Sequence, residues 1–238
     1  MTERSGARIL IVGCGEIGSR HLQAVATLPQ IREIDVVDPR PEAWALGRAR
    51  LAELADRQLG TKVRWLAALE DASRDGEICL VATQAEGRCR LVRQVAEQLG
   101  YSVFLVEKLV AQSMEEYQAL LDFSDQRGLS LWVNCKTRAY PIHKWVKARL
   151  GRSEPIVLTV VSGNHGLANS GIHAADLFVF YDDASWIECV GSHISTARIE
   201  RVHVSSSRPG SPYMRSTLTL SNPPARHALN AVRAPAAS

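Results

Sequence analysis

The sequence lacks several features that would assign it to a class at once. No apolar run approaches the ~20 residues that a membrane-spanning helix requires, and the polar opening at residues 1–8 carries no apolar signal-peptide core. A soluble cytoplasmic protein with no membrane partner is therefore expected. No CxxC pair occurs among the five cysteines, Cys14, Cys79, Cys89, Cys135 and Cys189. Their odd number and wide spacing argue against a disulfide framework or a zinc site, so no metal is expected. Long basic runs are missing too. The net charge is only +3, with lysine and arginine scattered among acids, and no nucleic-acid partner is expected. No internal repeat is visible. What remains is an ordinary composition, 46% hydrophobic and 22% charged over 238 residues, enough for one large core or two modest ones.

The first half alternates short apolar runs with helix-period segments. Residues 8–12, 34–37, 63–66, 78–82, 102–106 and 129–133 read as strands, and 17–28, 42–59, 88–99 and 113–127 as helices. Ser113, with Glu116 three residues on, has the spacing of a capping box, and Gly128 stops that helix. Strands that are apolar along their whole length, alternating with helices, imply a parallel sheet covered on both faces. The pattern changes near residues 135–140. Residues 141–150 read as an amphipathic helix and 173–181 as part of a further helix, while 156–162, 186–190, 197–205 and 214–220 read as strands. Several of these alternate apolar and polar residues, as half-wet antiparallel strands do. The expected fold class is α/β. An N-terminal Rossmann unit with a doubly wound parallel sheet occupies 1–135. A smaller α+β domain with an open, mostly antiparallel sheet occupies 136–220. Residues 221–238 are rich in Pro, Ala and Arg without periodicity and are expected to be disordered.

The strongest chemical signal is Gly13-Cys14-Gly15-Glu16-Ile17-Gly18, placed directly after a strand and opening a helix. The first glycine permits the tight turn, the second lets backbone approach a pyrophosphate, and the third allows close helix–strand packing. Main-chain N–H groups and the helix dipole would hold the phosphates. Gly13, Gly15, Glu16, Ile17 and Gly18 are thus candidate cofactor-binding residues. Asp38 ends the second strand, about 20 residues beyond the last glycine, where an acid binds ribose hydroxyls. A carboxylate there repels a 2′-phosphate, which favours NAD over NADP. Arg40, two residues on, softens that preference because an arginine receives such a phosphate. A methyl-donor (SAM) enzyme also uses a glycine-rich first loop, but the spacing here suits a dinucleotide better.

Two further segments carry chemistry. Glu107-Lys108 closes the fifth strand, at the carboxyl edge where open parallel sheets bind ligands. Asn169, His173 and Asp176 follow an i, i+4, i+7 spacing and share one face if all are helical. Histidine is a natural proton carrier near neutral pH. With these residues in view, the chain resembles the glucose–fructose oxidoreductase / inositol dehydrogenase (Gfo/Idh/MocA) family over about residues 8–205. The resemblance rests on the glycine loop, Ala82-Thr83 after the fourth strand, Glu107-Lys108, the Arg138-x-x-Pro141 entry to a helix, and Gly171-x-His173-x-x-Asp176. Residues 164–176 look most like members found with nine-carbon sugar and surface-glycan pathways.

The resemblance implies a Rossmann domain followed by an open sheet that supports the substrate and often builds a homo-oligomer. It implies NAD(P)-dependent hydride transfer at a sugar or polyol carbinol. Lys108 matches the family's lysine that orients substrate and assists proton transfer. His173 matches the general acid/base, and Thr83 a residue lining the nicotinamide and ribose side. Glu107 is counted with the cofactor site, and Arg138 and Asn169 with the substrate site. Hydride leaves a carbinol carbon only as its hydroxyl proton is removed, so a base within reach and a cation near the oxygen fit that chemistry. Asp176 is expected to cap or pair within its helix, His21 to lie at the surface, and His165 to sit in a loop. Several positions depart from the family. Leu109 replaces its proline, Asn169 an aspartate that is common there, and Gln84 and Arg88 a common Pro and His. The second domain usually continues for more strands where this chain runs into Asn222-Pro223-Pro224. These departures keep two other readings open. One is a non-catalytic nucleotide-binding or regulatory protein, the other a heteromeric subunit completed by a partner's strands.

Overall fold

The computed structural model describes residues 6–54, 60–150, 156–160, 170–184, 187–195 and 215–221. The chain divides into two compact units, Met1–Asn134 and Cys135–Ser238. The first contains β1 (Ala7–Val12), α1 (Glu16–Val25), β2 (Ile31–Val37), α2 (Pro41–Ala52), β3 (Lys62–Leu66), β4 (Ile78–Val81), α3 (Arg88–Leu99), β5 (Val103–Val106), α4 (Met114–Arg127) and β6 (Ser130–Val133). Its six strands form one sheet in the order β3-β2-β1-β4-β5-β6, and every neighbouring pair is parallel.

Strand β1 shows why its sequence is apolar without alternation. Leu10 and Val12 enter one hydrophobic core, with Val92 and Val95 of α3 and Leu120 of α4. Ile9 and Ile11 enter the other, with Leu22 of α1 and Ala43 of α2. Successive side chains of a strand point to opposite faces, so both faces of the sheet are covered and both must be apolar. The α4 start carries the expected serine cap, the Ser113 hydroxyl accepting the Glu116 N–H at 3.1 Å. The reciprocal bond differs from the standard box. The Glu116 carboxylate accepts the N–H of Gln112, one residue before the cap, at 3.0 Å. Gly128 ends the helix with φ 63°, a left-handed conformation natural to glycine.

The helix expected over 42–59 ends at Ala52, and residues 55–59 lie outside those described. Ala-, Leu- and Arg-rich composition favours helix but marks no stop, so propensity overran the end.

In the second unit a short 3₁₀ turn, Lys136–Ala139, leads into α5 (Pro141–Lys147), whose proline takes the first helical position. Helix α6 (Ile172–Asp182) follows. Arg138 from the turn reaches Asp176, and His143 Nδ1 lies 2.5 Å from the Tyr181 hydroxyl. Lys147 pairs with Asp183 and sits 4.4 Å from the centre of the Phe180 ring. Strands β7 (Glu188–Ser195) and β8 (Arg215–Ser221) pair antiparallel, with Glu188 opposite Ser221 and Ser195 opposite Arg215. The strand expected over 156–162 is not formed at 156–160, which has no regular structure; Val157 there is 93% exposed. The strand expected over 197–205 lies outside the described residues, and so does the tail expected over 221–238 except for Ser221, which pairs with Glu188 as the last residue of β8. No helix among the described residues is long and apolar enough to cross a membrane.

Candidate functional site

Strands β1, β4 and β5 lie side by side and run the same way, so their carboxyl ends share one edge. Gly13 follows β1, Thr83 follows β4 and Lys108 follows β5. The chain direction of build-up reverses between β1 and β4, and at such a switch point open α/β sheets take their ligands.

The glycine loop is shaped by close approaches. Gly13 has φ +90°, and a Cβ there would lie 3.0 Å from the backbone of Ala82 and Thr83. A Cβ on Gly18 would meet the Gly13 carbonyl oxygen at 1.8 Å, so α1 packs directly on the turn. Gly15 is different: among the described residues beyond its own neighbours and α1's own backbone, a Cβ there would meet only an Arg40 nitrogen, at 3.8 Å. Its outer side is open, and it stands as the N-cap of α1 without a side-chain cap bond. The first-turn N–H groups thus face a space suited to an anion. Ile17 is half exposed. The Glu16 carboxylate is engaged by Arg50 of α2, a buried side chain that also donates to the Glu16 carbonyl and to the Ser19 hydroxyl at 2.5 Å. Arg50 had no signal in the sequence, being one arginine of several in a helix. Cys14, between the first two glycines, is fully buried, and burial pushes its thiol up to about 11.

Asp38 is buried at the end of β2. It accepts the Cys14 N–H at 2.8 Å and a two-pronged contact from the Arg40 guanidinium, both prongs at 2.9 Å. Burial works to raise its pKa, but the bonds from Arg40 and Cys14 outweigh that and hold it below the usual aspartate value.

The β5 edge is organised by two buried groups. Glu107 lies with its carboxylate 2.8 Å from His21 Nε2 and accepts the Asn134 amide at 2.5 Å. Burial favours its neutral form, yet the His21 and Asn134 bonds and the nearby Lys108 charge hold its pKa below the ordinary glutamate value. Its carboxylate is thus engaged by α1 and by the residue after β6. His21, expected at the surface, is mostly buried against it. The pairing spans 86 residues and leaves no local trace. Arg88, 3% exposed, donates to the carbonyls of Thr83, Glu107 and Leu109, the Glu107 bond at 2.5 Å. It joins the loop after β4 to the loop after β5. The Lys108–Leu109 peptide is cis, with leucine where the resembled family has proline. Lys108 is half-buried, and the Thr83 hydroxyl donates to the Gln84 carbonyl at 3.2 Å.

In the second unit His173 lies half-buried in the first turn of α6. Asp176, three residues on, pairs with Arg138 rather than within its own helix, Arg138 Nε donating to Oδ2 at 2.8 Å. The guanidinium counted with the substrate site is therefore engaged by a carboxylate. Asn169 and His165 lie outside the described residues.

No family model and no curated protein matches the chain. Solved structures do. GenD2 from gentamicin A biosynthesis, in complex with NAD, superposes with a TM-score of 0.60 at 18% identity, covering 82% of this chain and 58% of that one. UDP-N-acetylglucosamine 3-dehydrogenase GnnA from Acidithiobacillus ferrooxidans gives 0.59 at 20%, over 90% and 64%. The transcriptional regulator Gal80p from Kluyveromyces lactis gives 0.58 at 18%, over 80% and 53%. At these identities the likeness is one of fold. The chain spans less than two thirds of the length of each.

Proposed function

We propose that this chain, which has the fold of the Gfo/Idh/MocA-type dehydrogenases, is a nicotinamide-dinucleotide-dependent oxidoreductase that transfers hydride to or from a sugar or polyol carbinol carbon. The observation that carries the reading is the loop at the β1–β4 switch point, open only above Gly15, where α1 begins. Backbone N–H groups there hold the pyrophosphate. When bound, the nicotinamide supplies the hydride acceptor or donor. Thr83 lines its side of the site. Lys108 orients the substrate oxygen and stabilises negative charge developing on it. His173 takes or returns the hydroxyl proton. Arg88 and the His21–Glu107–Asn134 contacts position the segment that carries Lys108. The proposed substrate belongs to surface-glycan or nine-carbon sugar metabolism. The proposed setting is the cytoplasm, with self-association through the second-unit sheet.

The test is Lys108→Ala. NADH binding should persist while turnover falls by about 10²–10³-fold, the range one positioned charge-stabilising donor contributes. Full kcat in that variant on an identified substrate refutes the assignment. A second reading, a nucleotide-binding regulator without catalysis, is favoured by Leu109 in the lysine segment and by the fold shared with Gal80p. It predicts NADH binding with no turnover across a sugar panel, and steady NADH consumption with a ketosugar removes it.

A further inference from the structure

The carboxylate that ends β2 has about four lone-pair positions, and four donors already fill them. Oδ1 accepts the Arg40 backbone N–H at 3.1 Å and Nε–H at 2.9 Å, while Oδ2 accepts the Cys14 N–H at 2.8 Å and Arg40 Nη2 at 2.9 Å. The Asp38 side chain is 2% exposed and that of Arg40 57%. Ribose hydroxyls would have to displace Arg40 before they could donate to Asp38.

The guanidinium has the opposite character. It spends two of its five N–H donors on Asp38, leaving the rest on an exposed edge. Among the described residues, and leaving aside the adjoining residues and α1's own backbone, its Nη2 is the one atom within 4 Å of a Cβ built on Gly15, at 3.8 Å, so the cation lies beside the turn where α1 starts. Two contacts to a buried carboxylate fix the plane of the fork, and a planar fork with spare donors matches a phosphate monoester. Asp38 then anchors the arginine instead of receiving the ribose.

Resting on the reading that a nicotinamide dinucleotide binds this loop, we propose that Arg40 receives the 2′-phosphate of NADP(H), so that the chain takes NADPH at least as tightly as NADH. This reverses the preference drawn from the carboxylate alone.

The experiment is a fluorescence titration of the full chain with NADPH and with NADH, repeated on Arg40→Ala and Arg40→Gln, with thermal melting to confirm that each variant folds. The native chain should show an NADPH Kd equal to or below that of NADH. Both variants should raise the ratio of NADPH Kd to NADH Kd at least tenfold, and 2′-AMP should compete better than 5′-AMP only with the native chain. A native preference for NADH overturns the proposal. So does an unchanged ratio in the variants, including an equal weakening of both nucleotides, which would place Arg40 on the pyrophosphate. Failure of both nucleotides to bind the folded chain is a separate result: it refutes the dinucleotide reading itself.

Discussion

Replacing Arg88 by methionine removes a buried guanidinium while keeping much of its aliphatic bulk. Three carbonyls lose a charged donor: those of Thr83, Glu107 and Leu109. Hydrogen bonds to charged groups contribute roughly 1.5–3 kcal/mol each, so the gross loss is about 4.5–9 kcal/mol. Two effects reduce it. Burial disfavours the guanidinium's charge, as its lowered pKa records, so removing it relieves a desolvation cost of several kcal/mol. Thr83 and Leu109 are also half-exposed, so water can reach their freed carbonyls, whereas Glu107 is buried. A net loss of about 2–4 kcal/mol remains, set against a typical total of 5–15 kcal/mol. For a chain of this length that corresponds to roughly 4–16 °C in Tm. Urea unfolding should show a lower midpoint at unchanged slope, and NADH affinity should fall because the loops after β4 and β5 come untied together. Arg93→Met is the control: that side chain bonds a single solvent-exposed carbonyl, Ala119, and lies over the Phe123 ring at 4.8 Å, so its loss should cost about 1–2 kcal/mol, less than that of Arg88. If the two variants are equally stable, Arg88 does not hold the edge of the sheet.

Two other perturbations probe the same edge. Gly13→Ala puts a Cβ at φ +90°, 3.0 Å from the Ala82 backbone. A left-handed conformation alone costs roughly 1–2 kcal/mol, so reduced stability and at least tenfold weaker NADH binding are expected by melting and titration; native affinity would contradict the loop's role. Glu107 and Asp38 both have pKa values held below their unfolded values of about 4.3 and 3.9. Their stabilisation is therefore complete above those values and is lost as pH falls through the folded ones. Glu107→Gln should lower stability at pH 7 and flatten the fall in Tm below about pH 4. An acid limb as steep as the native one would mean that Glu107 does not contribute to it.

The parallel sheet was legible because β1, β4 and β5 are buried on both faces and therefore apolar without interruption. The glycine loop was legible because its constraints are steric and local: Gly18 has no room for a Cβ beside the Gly13 carbonyl. The electrostatics were not. Asp38 announced its position but not its occupancy, since the fold-back of Arg40 depends on backbone torsions at a turn. Arg88 read as a replacement for a family histidine, and only the packed structure shows the three carbonyls that it joins. His21 read as a surface residue because its partner Glu107 lies on a different element. Residues 156–160 misled in the other direction, where a short, mostly apolar run carries too little information to specify a strand against its surroundings.

Cys14 occupies the centre of the glycine turn with no exposed surface, and Gly47 of α2 leaves the room for it: a methyl group there would lie 2.8 Å from its sulfur. With the thiol pushed up to about 11, almost none of it is thiolate at neutral pH. Peroxide and maleimide react with thiolate, so neither can reach or attack this sulfur while α2 stays seated. Alkylation at Cys14 would therefore time the lifting of that helix, and the nucleotide loop carries its own reporter of local opening.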